Sequence, residues 1–195
     1  MGEIAVALGS KTGKQKPRLN ESQLYDYAVK ALGRRMRTEV ELRRLMRERA
    51  EFGERGQAAI AAVIRRLKEY RFLNDAAYAE TYARLRQENE KFGARRVRRD
   101  LAQKGLKAEL ISETVDARYG DTNEEALARQ HLERKRIKKP ENEKETARVV
   151  RRLVAAGFST GVIFKILRQW DVPEEALEGI ESVEAEDMNS GMREE

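Results

Sequence analysis

The chain has no cysteine, a single histidine, three prolines and only 6% aromatic residues among its 195 positions. Without thiols there are no disulfides, no thiolate nucleophile and no cysteine-bound metal. No stretch is long and apolar enough to cross a membrane. The N-terminal MGEIAVALGSKTGK has no basic start and only a short apolar run, which argues against a secretory signal and makes the cytoplasm the expected compartment. No segment alternates apolar and polar residues with period two, so no sheet is expected. No nucleophile–base pair, metal cluster or glycine-rich phosphate cradle stands out either. Gly9-Ser-Lys-Thr-Gly13-Lys14 looks faintly like a phosphate loop, but its glycine spacing is one residue short and Gln15 stands where Ser or Thr should bind magnesium. These absences lead away from an enzyme, and no cofactor is expected.

Ala, Leu, Glu, Lys and Arg dominate, which favours helix throughout. The clearest pattern lies in Ala94 to Tyr119. Val97 and Leu101 share a helix face, Gly105 offers a left-handed stop, and Leu110, Ile111 and Val115 form the stripe of a following helix. Val149, Leu153, Gly157, Ile163 and Leu167 repeat this without a gap, and Leu42, Met46, Ala50, Ile60 and Ile64 repeat it with four extra residues around Phe52 to Arg55. A period near fifty residues signals tandem supersecondary units, each too small to bury its apolar face alone. The chain therefore reads as an all-α protein, three tandem three-helix repeats forming an elongated, curved helical array. The expected divisions are a flexible arm over 1–19, repeats over 20–73, 74–121 and 122–172, and an acidic, largely disordered tail over 173–195.

Asn20 or Ser22 should cap the first helix, Thr38 with Glu41 the second, and Gln57 should open the third. Tyr78, Ala79, Tyr82 and Leu85 read as the inner stripe of the fourth. The Lys138-Lys139-Pro140 run should stop the seventh, Asn142 with Glu145 should cap the eighth and Ser159 the ninth.

Charge is unevenly spread. Residues 171–195 carry ten acids and one base, so the rest of this +6 chain is strongly basic and suits an anionic partner. Arg44, Arg99 and Arg151 each stand two positions after the first core residue of a middle helix, a rotation of about 200° away from the core. They would form a spaced row if the repeats stack regularly, with Arg43 and Arg98 beside it. The turns at Gly105-Leu106 and Gly157-Phe158 are also similar to a helix-turn-helix, but the last helix, STGVIFKILRQW, offers few polar side chains to base edges. His131, on an apolar stripe, reads as packing. So do Tyr78, Tyr82, Phe92 and Trp170.

The segments LRRLMRERA (Leu42–Ala50), AIAAVIRRLKEYRFLND (Ala59–Asp75), FGARRVRRDLAQKGLKAELISETV (Phe92–Val115) and RRLVAAGFSTGVI (Arg151–Ile163) resemble the RecX regulatory family, in order, over about Tyr25 to Trp170. The family's usual Gly-Tyr-Leu appears here as Arg71-Phe72-Leu73, and its basic second turn as the more acidic Gln87–Lys91. The resemblance implies a non-enzymatic modulator of the recombinase RecA that lies in the groove of the RecA–DNA filament and lowers recombination, ATP hydrolysis and coprotease activity. Expected partners are the RecA filament and single- and double-stranded DNA, with the chain itself a monomer. The expected contacts are Arg43, Arg44, Arg47, Arg95, Arg98, Arg99, Lys135, Arg151 and Arg152. The competing reading is a nucleic-acid-binding helical repeat protein, or a helix-turn-helix regulator, that acts without RecA.

Overall fold

A computed structural model describes residues 17–172. Among them nine helices form: α1 (Glu21–Arg34), α2 (Glu39–Arg47), α3 (Gly53–Glu69), α4 (Asp75–Glu88), α5 (Ala94–Gln103), α6 (Ala108–Tyr119), α7 (Glu124–Arg134), α8 (Glu143–Ala155) and α9 (Thr160–Gln169). The fold is all-α, three tandem three-helix repeats taken in chain order. No strand occurs among the described residues; one isolated bridge pairs Leu19 with Ala50. The expected tail lies outside the described residues, as does the arm apart from its last three positions. There the Leu19 N–H donates to the Arg49 carbonyl at 2.8 Å, and the Arg18 guanidinium sits 3.9 Å over the Phe52 ring.

Capping side chains set most helix starts. Asn20 with Gln23, and Thr38 with Glu41, close reciprocal capping boxes. Asn74, Asn123 and Asn142 each accept an N–H from three residues on at 3.0 Å. Ser159 departs from expectation. It occupies the cap position of α9, but its hydroxyl and its N–H both donate to Glu124 at the start of α7, at 2.7 and 2.8 Å, leaving no side-chain cap. The bond ties the first helix of the third repeat to its last.

Five helices, α3, α5, α7, α8 and α9, end the same way. The residue after the cap turns left-handed, and the next N–H reaches back to the last helical turn: Phe72 to Leu67, Leu106 to Leu101, Ile137 to Leu132, Phe158 to Leu153 and Val172 to Leu167. Gly105 (φ 76°) and Gly157 (φ 89°) take the left-handed position in α5 and α8, whereas Arg71, Arg136 and Asp171 take it in the others. This closure ends α7 at Arg134, ahead of the Lys138-Lys139-Pro140 run expected to stop it.

The four extra residues of the first repeat lie in a helix, not in its turn. α3 begins at Gly53 rather than Gln57, so Ile60 stands one turn further into its helix than Ile111 and Ile163 stand in theirs. Leu85 also departs from expectation, being 41% exposed. The buried face of α4 runs through Ala79 and Ala83, both fully buried, whose small side chains let α6 approach.

The chain divides after Leu73 into two compact units. The first is built on Leu24, Leu42, Met46, Val63 and Leu67. The second holds two cores, one around Val97, Leu101 and Val115, the other around Leu153, Phe158, Ile163 and Leu167. Phe92 and Tyr119 pack against both. Within this unit the turn before α5 meets the turn after α8. The Gly93 N–H donates to the Ala156 carbonyl at 2.9 Å. A Cβ on Gly93 would sit 2.3 Å from the Gly157 oxygen, and one on Gly157 would sit 2.2 Å from the Arg96 nitrogen. Two backbones touch here, which only glycine allows.

Candidate functional site

A long basic side chain on a helix surface can find an acceptor and still stay exposed, and the expected arginines differ in the acceptors they meet. On α2, Arg44 and Arg47 are exposed, while Arg43 ion-pairs with Glu39 at 2.7 Å. Glu39 also takes Lys68 from α3. Burial works to raise its pKa, but the bonds from Lys68 and Arg43 prevail and hold it below the usual carboxylate range.

In the second unit, Arg95 is exposed at the start of α5, and Arg98 pairs with Asp116 of α6. Arg99 is exposed, but its guanidinium donates to the Ala155 carbonyl at 3.2 Å. The neighbouring Arg96, absent from the expected set, donates to the same oxygen at 3.3 Å and ion-pairs with Asp100 at 2.8 Å. Two α5 cations thus cover the C-terminal end of α8, where unsatisfied carbonyls and the helix dipole favour positive charge. Asp100 is only 7% exposed and accepts the Tyr82 hydroxyl at 3.0 Å, which fixes Arg96 from below. On α8 itself, Arg151 and Arg152 are exposed one turn before that shared carbonyl.

The cationic groups of the second unit converge further at an open cleft of ≈ 420 Å³, where Arg96, Lys135 and Arg152 stand over Phe92, His131 and Ile137. Lys135 bonds Glu90 at 3.1 Å and holds that carboxyl below the usual range. Glu90 was not expected to matter. It also pairs with Arg134 at 3.9 Å, and its backbone carbonyl meets His131 Nδ1 at 3.0 Å. A carbonyl can only accept, so Nδ1 carries a proton and donates. The ring lies 5.8 Å from both Phe92 and Phe158, joining the two cores of the unit.

Burial pushes the His131 pKa down, with Lys135 and Arg134 adding to it and Glu90 opposing. The unfolded chain therefore binds the proton more readily than the folded one. Stability from this site is complete above the unfolded value of about 6.5 and is lost as pH falls below it. The melting temperature should drop between pH 7.5 and 5.5 by more in the wild type than in His131→Gln. That variant can keep a donor to Glu90 but does not titrate. Equal drops would remove His131 from the account.

Chemically, this arrangement offers exposed guanidinium groups to phosphates or carboxylates. Among the described residues no group of three His, Asp or Glu could hold a metal, and no helix is long and apolar enough to cross a membrane.

Comparison with known proteins places the chain among relatives. The family described as RecX, second three-helix domain, matches residues 74–115. The regulatory protein RecX of Deinococcus radiodurans is 35% identical over 161 residues, spanning 80% of this chain and 73% of that protein. The regulatory protein RecX of Leptothrix cholodnii is 33% identical over 144 residues, spanning 74% and 87%. The crystal structure of RecX from Lactobacillus salivarius shares the fold with a TM-score of 0.62 at 22% identity, covering 77% of this chain and 96% of that one.

Proposed function

The chain belongs to the RecX family of regulatory proteins, and from that premise we propose that it binds the RecA–DNA filament in its groove and inhibits recombination, ATP hydrolysis and coprotease activity. It would thereby restrain recombinational repair and the SOS response in the cytoplasm. The observation that carries this reading is the kinship with RecX regulators of Deinococcus and Leptothrix, over 80% and 74% of this chain. The exposed cations support it: Arg44 and Arg47 on α2 and Arg151 and Arg152 on α8 supply contacts for a phosphate backbone or acidic protein surface. Arg43, Arg98, Arg99 and Lys135, each bonded within the chain, contribute positive field and hold the fold.

A filament offers protein as well as DNA, so the reading separates from plain nucleic-acid binding. Affinity should be higher, and less salt-dependent, for RecA filaments than for the same single-stranded DNA alone, and ATP hydrolysis by RecA should fall as the chain is added. Equal affinities and salt slopes for the two targets, with hydrolysis unaffected, would leave a DNA-binding repeat protein.

A further inference from the structure

Five helix ends share one closure, and in four of them the apolar residue that completes it packs inward. Leu106, Phe158 and Val172 are 7%, 1% and 9% exposed, and Ile137 is half-buried against the core. Inward packing is the usual companion of this motif. In α3 the same position is Phe72, and it is 56% exposed. Its backbone is held as firmly as the others, with the Phe72 N–H on the Leu67 carbonyl at 2.9 Å, and the following Leu73 is buried. The fold therefore presents this ring outward on a fixed frame.

Phe72 is not alone. Lys68 near the end of α3 ion-pairs with Glu39 at the start of α2, so the end of α3 and the α1–α2 turn lie at one end of the first bundle. Met36 and Val40 are there, 49% and 50% exposed, together with Tyr70 at 60%. Four of the six large apolar residues exposed among the described residues thus collect at one end of one bundle. Around them stand Arg35, Arg66, Lys68 and Arg71, all exposed, against one exposed acid, Glu69, while the Glu39 carboxylate is bound by Arg43 and Lys68.

We propose that this end of the first bundle is a docking surface for a protein partner that is apolar at its centre and acidic at its rim. Met, Tyr, Phe and Arg are the types enriched where proteins meet, and the cationic rim selects carboxylates. A row of stacked bases fits less well. Met36 and Val40 have no ring, and Arg66 already lies 5.8 Å from the Tyr70 ring centre and 4.2 Å from that of Tyr25. This inference rests on the filament reading: the surface takes the protein of the filament, and the exposed arginines of α2 and α8 are left for DNA.

The test uses the full chain with Phe72→Ser and Val40→Ser together, and separately with Tyr70→Ser. Both sets lie on the surface, and thermal unfolding checks that they fold. Binding is measured to RecA filaments on single-stranded DNA and to the same DNA alone. Filament affinity should fall about tenfold or more while DNA affinity stays within about twofold. Unchanged filament binding in variants of a chain that still prefers filaments would overturn the inference and leave the filament reading standing. Parallel losses on filament and DNA would show that the surface takes nucleic acid. A wild-type chain with no preference for filaments would bring down the filament reading and this inference with it.

Discussion

Gly157→Ala should unfold much more easily than the wild type, losing about 2–5 kcal/mol of stability. Two costs combine. At φ 89° a side chain meets its own backbone, worth about 1–2 kcal/mol. The added Cβ would also lie 2.2 Å from the Arg96 nitrogen and 2.5 Å from its Cβ, so the turn after α8 and the start of α5 must separate, an overpacking cost of about 1–3 kcal/mol. That separation would break the Gly93–Ala156 hydrogen bond and pull Arg96 and Arg99 from the Ala155 carbonyl. Gly53→Ala is the matched control, because it has a similar φ of 73° with nothing within 4 Å of the new Cβ. It should lose only the backbone term, about 1–2 kcal/mol. Urea unfolding followed by helicity measures both. If Gly157→Ala costs no more than Gly53→Ala, the two backbones are not in contact and the second unit is looser than described.

Charge reversal should have the largest effect on binding. Arg44, Arg151 and Arg152 are exposed, and replacing them with Glu takes the net charge from +6 to 0. If each neutralises one phosphate, the dependence of log K on log salt should flatten by about 0.7 per residue on single strands. Affinity for single-stranded DNA in low salt should fall by about two orders of magnitude, since each site turns attraction into repulsion. Arg99 is left alone, because a carboxylate there would face the Ala155 carbonyl and disturb the fold. The control is Glu at Lys11, Lys14 and Lys16, which makes the same charge change. The surface substitutions at Arg44, Arg151 and Arg152 should shift stability by less than about 0.5 kcal/mol each. Equal binding losses from the two triples would mean that only the overall field matters and that these arginines are merely a solvated face.

The sequence by itself determined the helices and their repetition. Val97, Leu101 and Gly105, echoed by Val149, Leu153 and Gly157, were legible because a 3.6-residue period and a left-handed stop are local properties of the chain. Thr38 with Glu41 was legible for the same reason, since both capping bonds span three residues. The resemblance to the RecX family was legible too. Tertiary structure decided how each cation is employed. Arg96 and Arg99 look like any pair of helix-surface arginines until the end of α8 is brought against α5, and Glu90 looks like a loop acid until α7 delivers His131 and Lys135 to it. It also decided that Ser159 bonds Glu124 instead of capping its own helix, and that four extra residues become a turn of α3. Phe72 shows the limit from the other side: nothing local in the chain sets it apart from the apolar residues that close other helices inward, and only the packed bundle shows that its ring is left in water. Helix propensity, capping and turn chemistry act within a few residues and are written in order along the chain. Burial and pairing depend on which surfaces meet across tens of residues, and folding alone sets those meetings.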